Sequence, residues 1–365
     1  MIAEIAVDLA AIARNAAVLA RIVAPARLAA VVKANAYGHG LVPVARAVAP
    51  HAARSCVYGV EEAVALRDAG IASPIHVLGP IPVSALADAH AADVQLTLWD
   101  RGGYLLDAAR VARERGRPFA VQAKIDTGAA RFGLPHADAP TVLATYAATS
   151  ELALVGAFSH LAAVEEGEDA FTREQTARFR AATAGLGAGV ERHLAATAAA
   201  VMHPQTRFDL VRCGIGLYGG RLPARCAAEL EAALSWTTTV AALRDVAAGE
   251  TVGYGRAWRA ERASRIATLP IGYAEGLPRA AGGRARALVR GRAVPIVGRV
   301  CMNAAFLDVT DVPGAAAGDR VTLVGRDGEA RIAAADLADA CGTIDYEIFA
   351  RLPADVPRRY GVTGT

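Results

Sequence analysis

Of the 39 basic residues in this chain of 365, only Lys33 and Lys124 are lysines; the other 37 are arginines. A guanidinium stays protonated and serves neither as nucleophile nor as proton acceptor, whereas a lysine amine can be neutralised by its surroundings, form a Schiff base or shuttle a proton. In a chain that uses arginine wherever a solvated cation will do, the two retained lysines are candidates for chemistry. Lys33 closes an apolar run in LAAVVKANAYGHG, with Tyr37 and two glycines following it. Lys124 and Arg131 share KIDTGAARFG, His160 follows another apolar run in FSHL, and Arg212 lies in FDLVRCGIGLYG. Taken singly, the arginines and the histidine have ordinary structural uses as surface charges or satisfied polar groups. Their placement at the ends of successive apolar runs is what groups them.

Gly214, Gly216 and Gly219 fit GxGxxG. A dinucleotide site would need that motif in the first βαβ unit with an acidic residue about 20 positions on. Here it comes late, and Glu229 and Glu231 follow too closely. A glycine-rich turn still presents N–H groups to a phosphate, and barrels often bind phosphate at the loops after their last strands. Together with a strand-end amine this points to pyridoxal 5′-phosphate (PLP). No metalloprotease, nucleophile-elbow, Walker or kinase motif occurs. Five cysteines (Cys56, Cys213, Cys226, Cys301 and Cys341), widely spaced and without CxxC, read as reduced thiols and not as a disulfide framework or zinc site, so no metal is expected. Cys301, with no basic partner nearby in sequence, is expected to be a packed thiol.

The elements that must position these groups are short apolar runs alternating with helical patterns: Leu28–Val32, Cys56–Val60, Ile75–Leu78, Val94–Leu98, Phe119–Ile125, Leu152–Phe158, His193–Ala195 and Phe208–Val211. Between the runs lie helical patterns such as Asp8–Val23, with Asp8 as N-cap and an apolar stripe through Leu9, Ile12, Leu19, Ile22 and Val23. Eight such units predict a (β/α)8 TIM-type barrel over residues 8–235, its site at the C-terminal strand ends. After Trp236 short, often alternating segments separated by Gly, Pro and Asp predict a mainly antiparallel β domain over 236–365, with one late helix near Ala333–Ala340. Residues 1–7 are expected to pair with that domain. A net charge of +3 without a basic run predicts neither nucleic acid nor membrane as partner, and leaves a small molecule. Glu4 and Asp8 interrupt any leader-like start, so the cytoplasm is the expected compartment.

The segments AVVKANAYGHG, KIDTGAARFGL, FSHLA, RHLAATAA, VRCGIGLYG, VGYGR, IGYAEGLPR, GRVCMN and TIDYEI, in this order along essentially the whole chain, resemble those of bacterial alanine racemases, which are PLP enzymes of fold type III. The resemblance implies interconversion of L- and D-alanine, a peptidoglycan precursor, by two bases on opposite faces of the α-carbon: Lys33, which also binds the cofactor, and Tyr273. It implies that His160 and Arg212 polarise the Tyr273 phenol, that His193 hydrogen-bonds Arg212, and that Arg212 faces the pyridine nitrogen. Arg131 and the backbone N–H of Met302 would contact the substrate carboxylate, with Arg131 also on the cofactor phenolate. Tyr37, Thr197, Gly214, Ile215 and Tyr346 would hold the phosphate. Tyr273 and Met302 would come from the second subunit of a head-to-tail homodimer. Lys124 would carry a carbamate that clamps Arg131; an ordinary lysine paired with Asp126 or another acid is the plainer use.

The chain departs from the usual pattern at Ala129-Ala130 (usually Met-Gly), Ala196-Thr197 (Asn-Ser), Cys213 (Pro) and Asn303 (Asp). Thr197 keeps a hydroxyl for phosphate, while Asn303 removes a negative charge beside the second base. Competing readings are a racemase of serine or another small amino acid, a PLP decarboxylase of basic amino acids, and a PLP carrier without catalysis; Tyr346, the IGYAEG and GRVCMN segments, and the β domain respectively argue against them.

Overall fold

The computed structural model describes residues 3–167, 169–223 and 230–361; Cys226 and Glu229 lie outside them. Eight parallel strands follow one another around a barrel: Arg27–Val31, Arg54–Val57, Ile75–Val77, Val94–Leu98, Phe119–Asp126, Leu152–Phe158, Glu191–His193 and Leu210–Cys213, with the last paired to the first. The remaining seam is narrowed by Arg212 N–H donating to Ala195 O (3.1 Å) and Asp209 N–H to Arg192 O (3.0 Å). Arg54–Val57, Ile75–Val77 and Leu210–Cys213 are buried at every residue, which is why they read as continuous apolar runs and not as alternations. Two of them are offset from the expectation. The seventh ends at His193 where the apolar run began, and the eighth reaches Cys213, so Arg212 sits on a strand and not beyond it.

The helix Leu9–Val23 begins where expected: Asp8 Oδ1 accepts from Ala11 N–H at 2.8 Å, and Ile12, Ala16, Leu19 and Val23 form the buried stripe. It packs on the turn Ile215–Tyr218, so the amphipathic pattern of the first helix supports the glycine-rich segment from behind.

A second sheet runs Ala242–Val246, Ser264–Leu269, Ala305–Asp308, Arg292–Val297, Arg286–Val289, Arg320–Asp327, Leu234–Thr239, Ala3–Val7, Arg358–Tyr360, antiparallel except for the last pair. The strand Ala3–Val7 lies inside it, Ile5 opposite Trp236, so the start of the chain belongs to this sheet and the barrel begins only afterwards. The expected single late helix is two: Ala334–Cys341 and Asp345–Ala350. The second was not visible as a pattern because its six residues are shorter than two helical turns, and it owes its place to packing on the segment after Lys33. Among the described residues no helix is long and apolar enough to cross a membrane.

Candidate active site

Lys33 follows the first barrel strand, and the chain then does something unusual. Ala34, Asn35, Ala36 and Tyr37 all have φ of 52–53°, a left-handed turn without a glycine in it. Each such residue costs roughly 1–2 kcal/mol, so the turn must be held from outside. Asn35 does much of this: its N–H donates to Glu62 Oε1 at 3.1 Å and its Oδ1 accepts from Leu41 N–H at 2.8 Å. The result presents the Lys33 amine and the Tyr37 ring to one cavity of about 600 Å³ at the C-terminal strand ends. Burial and the Arg131 charge lower the Lys33 pKa, opposed by Glu62. The amine lies 5.7 Å from the centre of the Tyr58 ring.

Arg212 forms the buried floor of that cavity, only 4% exposed. One terminal nitrogen donates to His193 Nδ1 (2.8 Å) and His193 O (3.0 Å), the other to Ser159 O (2.6 Å), Leu194 O (3.1 Å) and, more distantly, His160 Nδ1 (3.4 Å). Three backbone carbonyls therefore fix the plane of the guanidinium. Burial lowers its pKa to about 10, which leaves it charged at neutral pH. Burial, then the charge of Arg212, pushes His160 down to about 3, so this ring is a neutral acceptor.

The glycines of GIGLYG serve close approach. A Cβ on Gly214 would lie 2.5 Å from Tyr37 Oη, and one on Gly216 would lie 2.6 Å from Thr197 Cγ2. Thr197 Oγ1 accepts from Gly214 N–H at 3.2 Å. Tyr37 stacks on Tyr218 (4.9 Å) and meets Tyr346 at 6.0 Å. Tyr37, Thr197, Gly214, Ile215 and Tyr346 thus line the same cavity, three hydroxyls beside a glycine-rich turn, a set suited to a phosphate. The Tyr346 hydroxyl here donates to Glu165 Oε1 (3.0 Å).

Lys124, 7% exposed, lies on the inner face of its strand with its amine over the Phe158 ring at 5.0 Å. Burial, then Arg212, Arg131 and Lys33, lowers its pKa to about 8. The expected alternative of an Asp126 pair is absent among the described residues; Asp126 Oδ1 instead accepts from the N–H groups of Gly128, Ala129 and Ala130. Arg131 lines the same cavity from its exposed rim.

Two sequence candidates lie elsewhere. Tyr273 (42% exposed) and Met302 (58% exposed) are on the β domain, outside the cavity lining. They are neighbours, since Tyr273 N–H donates to Cys301 O at 3.1 Å and Ala274 N–H to Met302 O at 2.9 Å. Asn303 Nδ2 donates to Glu275 Oε1 at 2.6 Å, so a carboxylate stays beside Tyr273 although position 303 is neutral. Cys301, expected to be packed, is partly exposed, in the loop between Arg292–Val297 and Ala305–Asp308, where Met302 and Asn303 are exposed as well. Sequence reasoning did not single out Tyr58, Glu62, Gln122 or Glu165, none of which belongs to a local motif.

An amine, a buried arginine bound to three carbonyls and a glycine-rich turn thus share one cavity at the C-terminal strand ends of a parallel barrel, in a chain that also carries an antiparallel sheet. The models of the alanine racemase N-terminal and C-terminal domains match residues 7–222 and 233–360. Alanine racemase of Symbiobacterium thermophilum is 40% identical over 97% of this chain and 96% of its own. The crystal structure of alanine racemase from D-cycloserine-producing Streptomyces lavendulae superposes with a TM-score of 0.92 at 34% identity, covering 100% of this chain and 97% of that one. That of Bacillus anthracis alanine racemase with bound L-Ala-P gives 0.87 at 32% identity, covering 100% and 96%. The chain belongs to the alanine racemase family.

Proposed function

We propose that the protein is a PLP-dependent racemase of alanine using Lys33 and Tyr273 as its two bases, working in the cytoplasm as a head-to-tail homodimer. We take residues 8–235 as its cofactor-binding unit and 236–365 as the unit that supplies the second base. The observation that carries the reading is the floor of the cavity. A charged guanidinium pinned by three carbonyls, lining the same cavity as a lysine amine whose pKa is lowered, suits a cofactor with a pyridine nitrogen at one end and an aldehyde at the other.

The residues present fit PLP. Lys33 would bind its aldehyde carbon, Arg212 its ring nitrogen, Arg131 its phenolate, and Tyr37, Thr197, Gly214, Ile215 and Tyr346 its phosphate, with His160 beside Arg212. When bound, PLP supplies the conjugated ring that takes up the electron pair left at the substrate α-carbon. Because Arg212 does not give up its proton, it weakens that uptake and so disfavours side reactions. With the substrate amine taking its place on the aldehyde carbon, the freed Lys33 Nζ would remove the α-proton of D-alanine, and Tyr273 Oη of the second subunit would deliver one to the opposite face; the roles would reverse for L-alanine. An ordinary phenol, with a pKa near 10, is a poor base at neutral pH, and His160 and Arg212 are the groups that polarise it. Arg131 and Met302 N–H orient the substrate carboxylate. A carbamate on Lys124 would turn its repulsion of Arg131 into a clamp. The exposure of Tyr273 and Met302 supports the shared site, since neither residue reaches the cavity of its own chain.

The deciding test is purified protein with PLP and L-alanine, followed for D-alanine. Formation of D-alanine at a rate well above that of L-serine conversion is expected. No D-alanine, with PLP bound, would reject the reading.

A further inference from the structure

We propose that Gln122, deep in the barrel and away from the cavity lining, is a positioning residue that holds His193 in the one tautomer able to anchor Arg212. The inference rests on the racemase reading for its kinetic consequence alone.

Arginine only donates, so His193 Nδ1, at 2.8 Å from Arg212, must accept. The ring hydrogen is then on Nε2, and its partner is Gln122 Oε1 at 2.9 Å. Gln122 Nε2 in turn donates to Gln95 Oε1 (2.9 Å), which also receives Arg54 (2.5 Å). Arg54 and Arg27 both pair with Glu191 at the far mouth of the barrel. Because donor-only arginines close both ends of this line, each amide has a single orientation and the direction of every hydrogen bond is set. The network runs the length of the barrel interior, from the catalytic floor to the opposite mouth.

The backbone is shaped for this side chain. Pairing between Phe119–Asp126 and Leu152–Phe158 shifts between Val121 and Gln122, so that Gln122 faces Gly156 and Val155 is skipped. A Cβ on Gly156 would lie 2.2 Å from Gln122 Oε1 and 2.9 Å from its Cδ. A bulge and a glycine together clear the seat. The groups facing His193 are Arg212, Gln122, His76 (ring centres 5.8 Å apart) and the stacked Phe158 (5.0 Å, 6°). None of these is a carboxylate. Burial, then Arg212 and His76, holds the His193 pKa well below its ordinary value, in keeping with a neutral ring.

Replacing Gln122 with Glu would face the ring N–H with a carboxylate, allow a second proton, and set an Nδ1–H against the donors of Arg212. Gln122→Met would leave Nε2–H without an acceptor. Gly156→Ala would displace Gln122 without substituting any residue of the network. The experiment is ¹⁵N-histidine NMR of the apoprotein from about pH 5 to 9, paired with racemase kinetics of the PLP-loaded proteins. In the wild type His193 is expected neutral with its proton on Nε2 throughout. In Gln122→Glu it gains a second proton as pH falls. Gln122→Met and Gly156→Ala are expected to alter the His193 signals and to lower kcat about tenfold with KM for alanine held within about twofold. A proton on Nδ1 in the wild type overturns the proposal without recourse to any variant. Unchanged His193 signals and kcat in folded Gln122→Met overturn it too. A wild type that binds PLP but never racemises alanine would count against the racemase reading, and the NMR result would still decide the tautomer.

Discussion

Gly216→Ala tests whether the phosphate wall is set by one methyl group. The backbone at 216 is outside the left-handed region, so alanine is conformationally allowed, and the loss of unfolded-state freedom would by itself stabilise by roughly 0.4–1 kcal/mol. Against this, the new Cβ would stand 2.6 Å from Thr197 Cγ2, 3.3 Å from Leu19 Cδ1 and 3.4 Å from Leu230 Cδ1. Carbons pack best at about 3.5–4.0 Å, and overpacking a core costs about 1–3 kcal/mol. The net expectation is a loss of about 1–2 kcal/mol. With an unfolding entropy of about 2.1 cal/mol/K per residue over 365 residues, each kcal/mol moves Tm by about 1.3 °C, so Tm falls by about 1–3 °C. The Thr197 hydroxyl that receives Gly214 N–H moves with its methyl, so PLP affinity should fall as well. Thr197→Ser removes the methyl and keeps the hydroxyl; alone it should cost about 1 kcal/mol. In the double variant the clash is gone, and the loss should be smaller than the sum by about 1–2 kcal/mol. Thermal melts of the four proteins, with PLP titrations followed by absorbance, form the cycle. Losses that add within about 0.5 kcal/mol would show that the contact is not what Gly216 protects.

Lys33→Ala should lose both racemisation and the covalent PLP absorbance band; activity retained without added amine would exclude Lys33 as the base. Tyr273→Phe should still exchange the α-proton of D-alanine with solvent deuterium but hardly that of L-alanine, and mixing it with Lys33→Ala chains should restore activity if each site draws on two subunits. Equal loss of exchange for both enantiomers, or no recovery in demonstrated heterodimers, would contradict the scheme. Only the neutral Lys124 amine reacts with carbon dioxide. With a pKa of about 8 the reactive fraction increases as pH rises through that value, so ¹³C-bicarbonate should give a carbamate signal that grows from pH 7 to about 9 and is missing in Lys124→Arg. No signal in the wild type would show that Arg131 is held some other way.

What could be read from the sequence, and what could not, divides by the range of the interaction. Most of the strands were legible because burial writes itself as a continuous apolar run, the seventh, Glu191–His193, being the exception, and the first helix was legible because its cap and stripe are local. Lys33 was legible by composition, as one of two lysines beside 37 arginines. The left-handed turn after it was not, because Ala34, Ala36 and Tyr37 carry no signal for positive φ; the turn is imposed by Glu62 and Leu41, partners from the next elements. The offset of the last strand had the same origin: Arg212 reads as a loop charge until three carbonyls at the ends of neighbouring strands are seen to receive it.

Gln122 is the extreme case. In sequence it is a lone polar residue interrupting the apolar run FAVQAKID, and nothing nearby gives it a partner. Its use depends on a one-residue shift against Leu152–Phe158, on a glycine 34 positions away and on a histidine 71 positions away. Side chains on a strand alternate faces, so a slip of one residue decides whether this amide points to the helices or into the barrel. Register is a property of the pair of strands, and neither strand alone contains it. The same holds for Tyr273 and Met302, whose segments can be matched residue by residue although the cavity they are proposed to complete is not the one their own chain encloses. Local chemistry names the groups, and pairing between strands decides which of them meet.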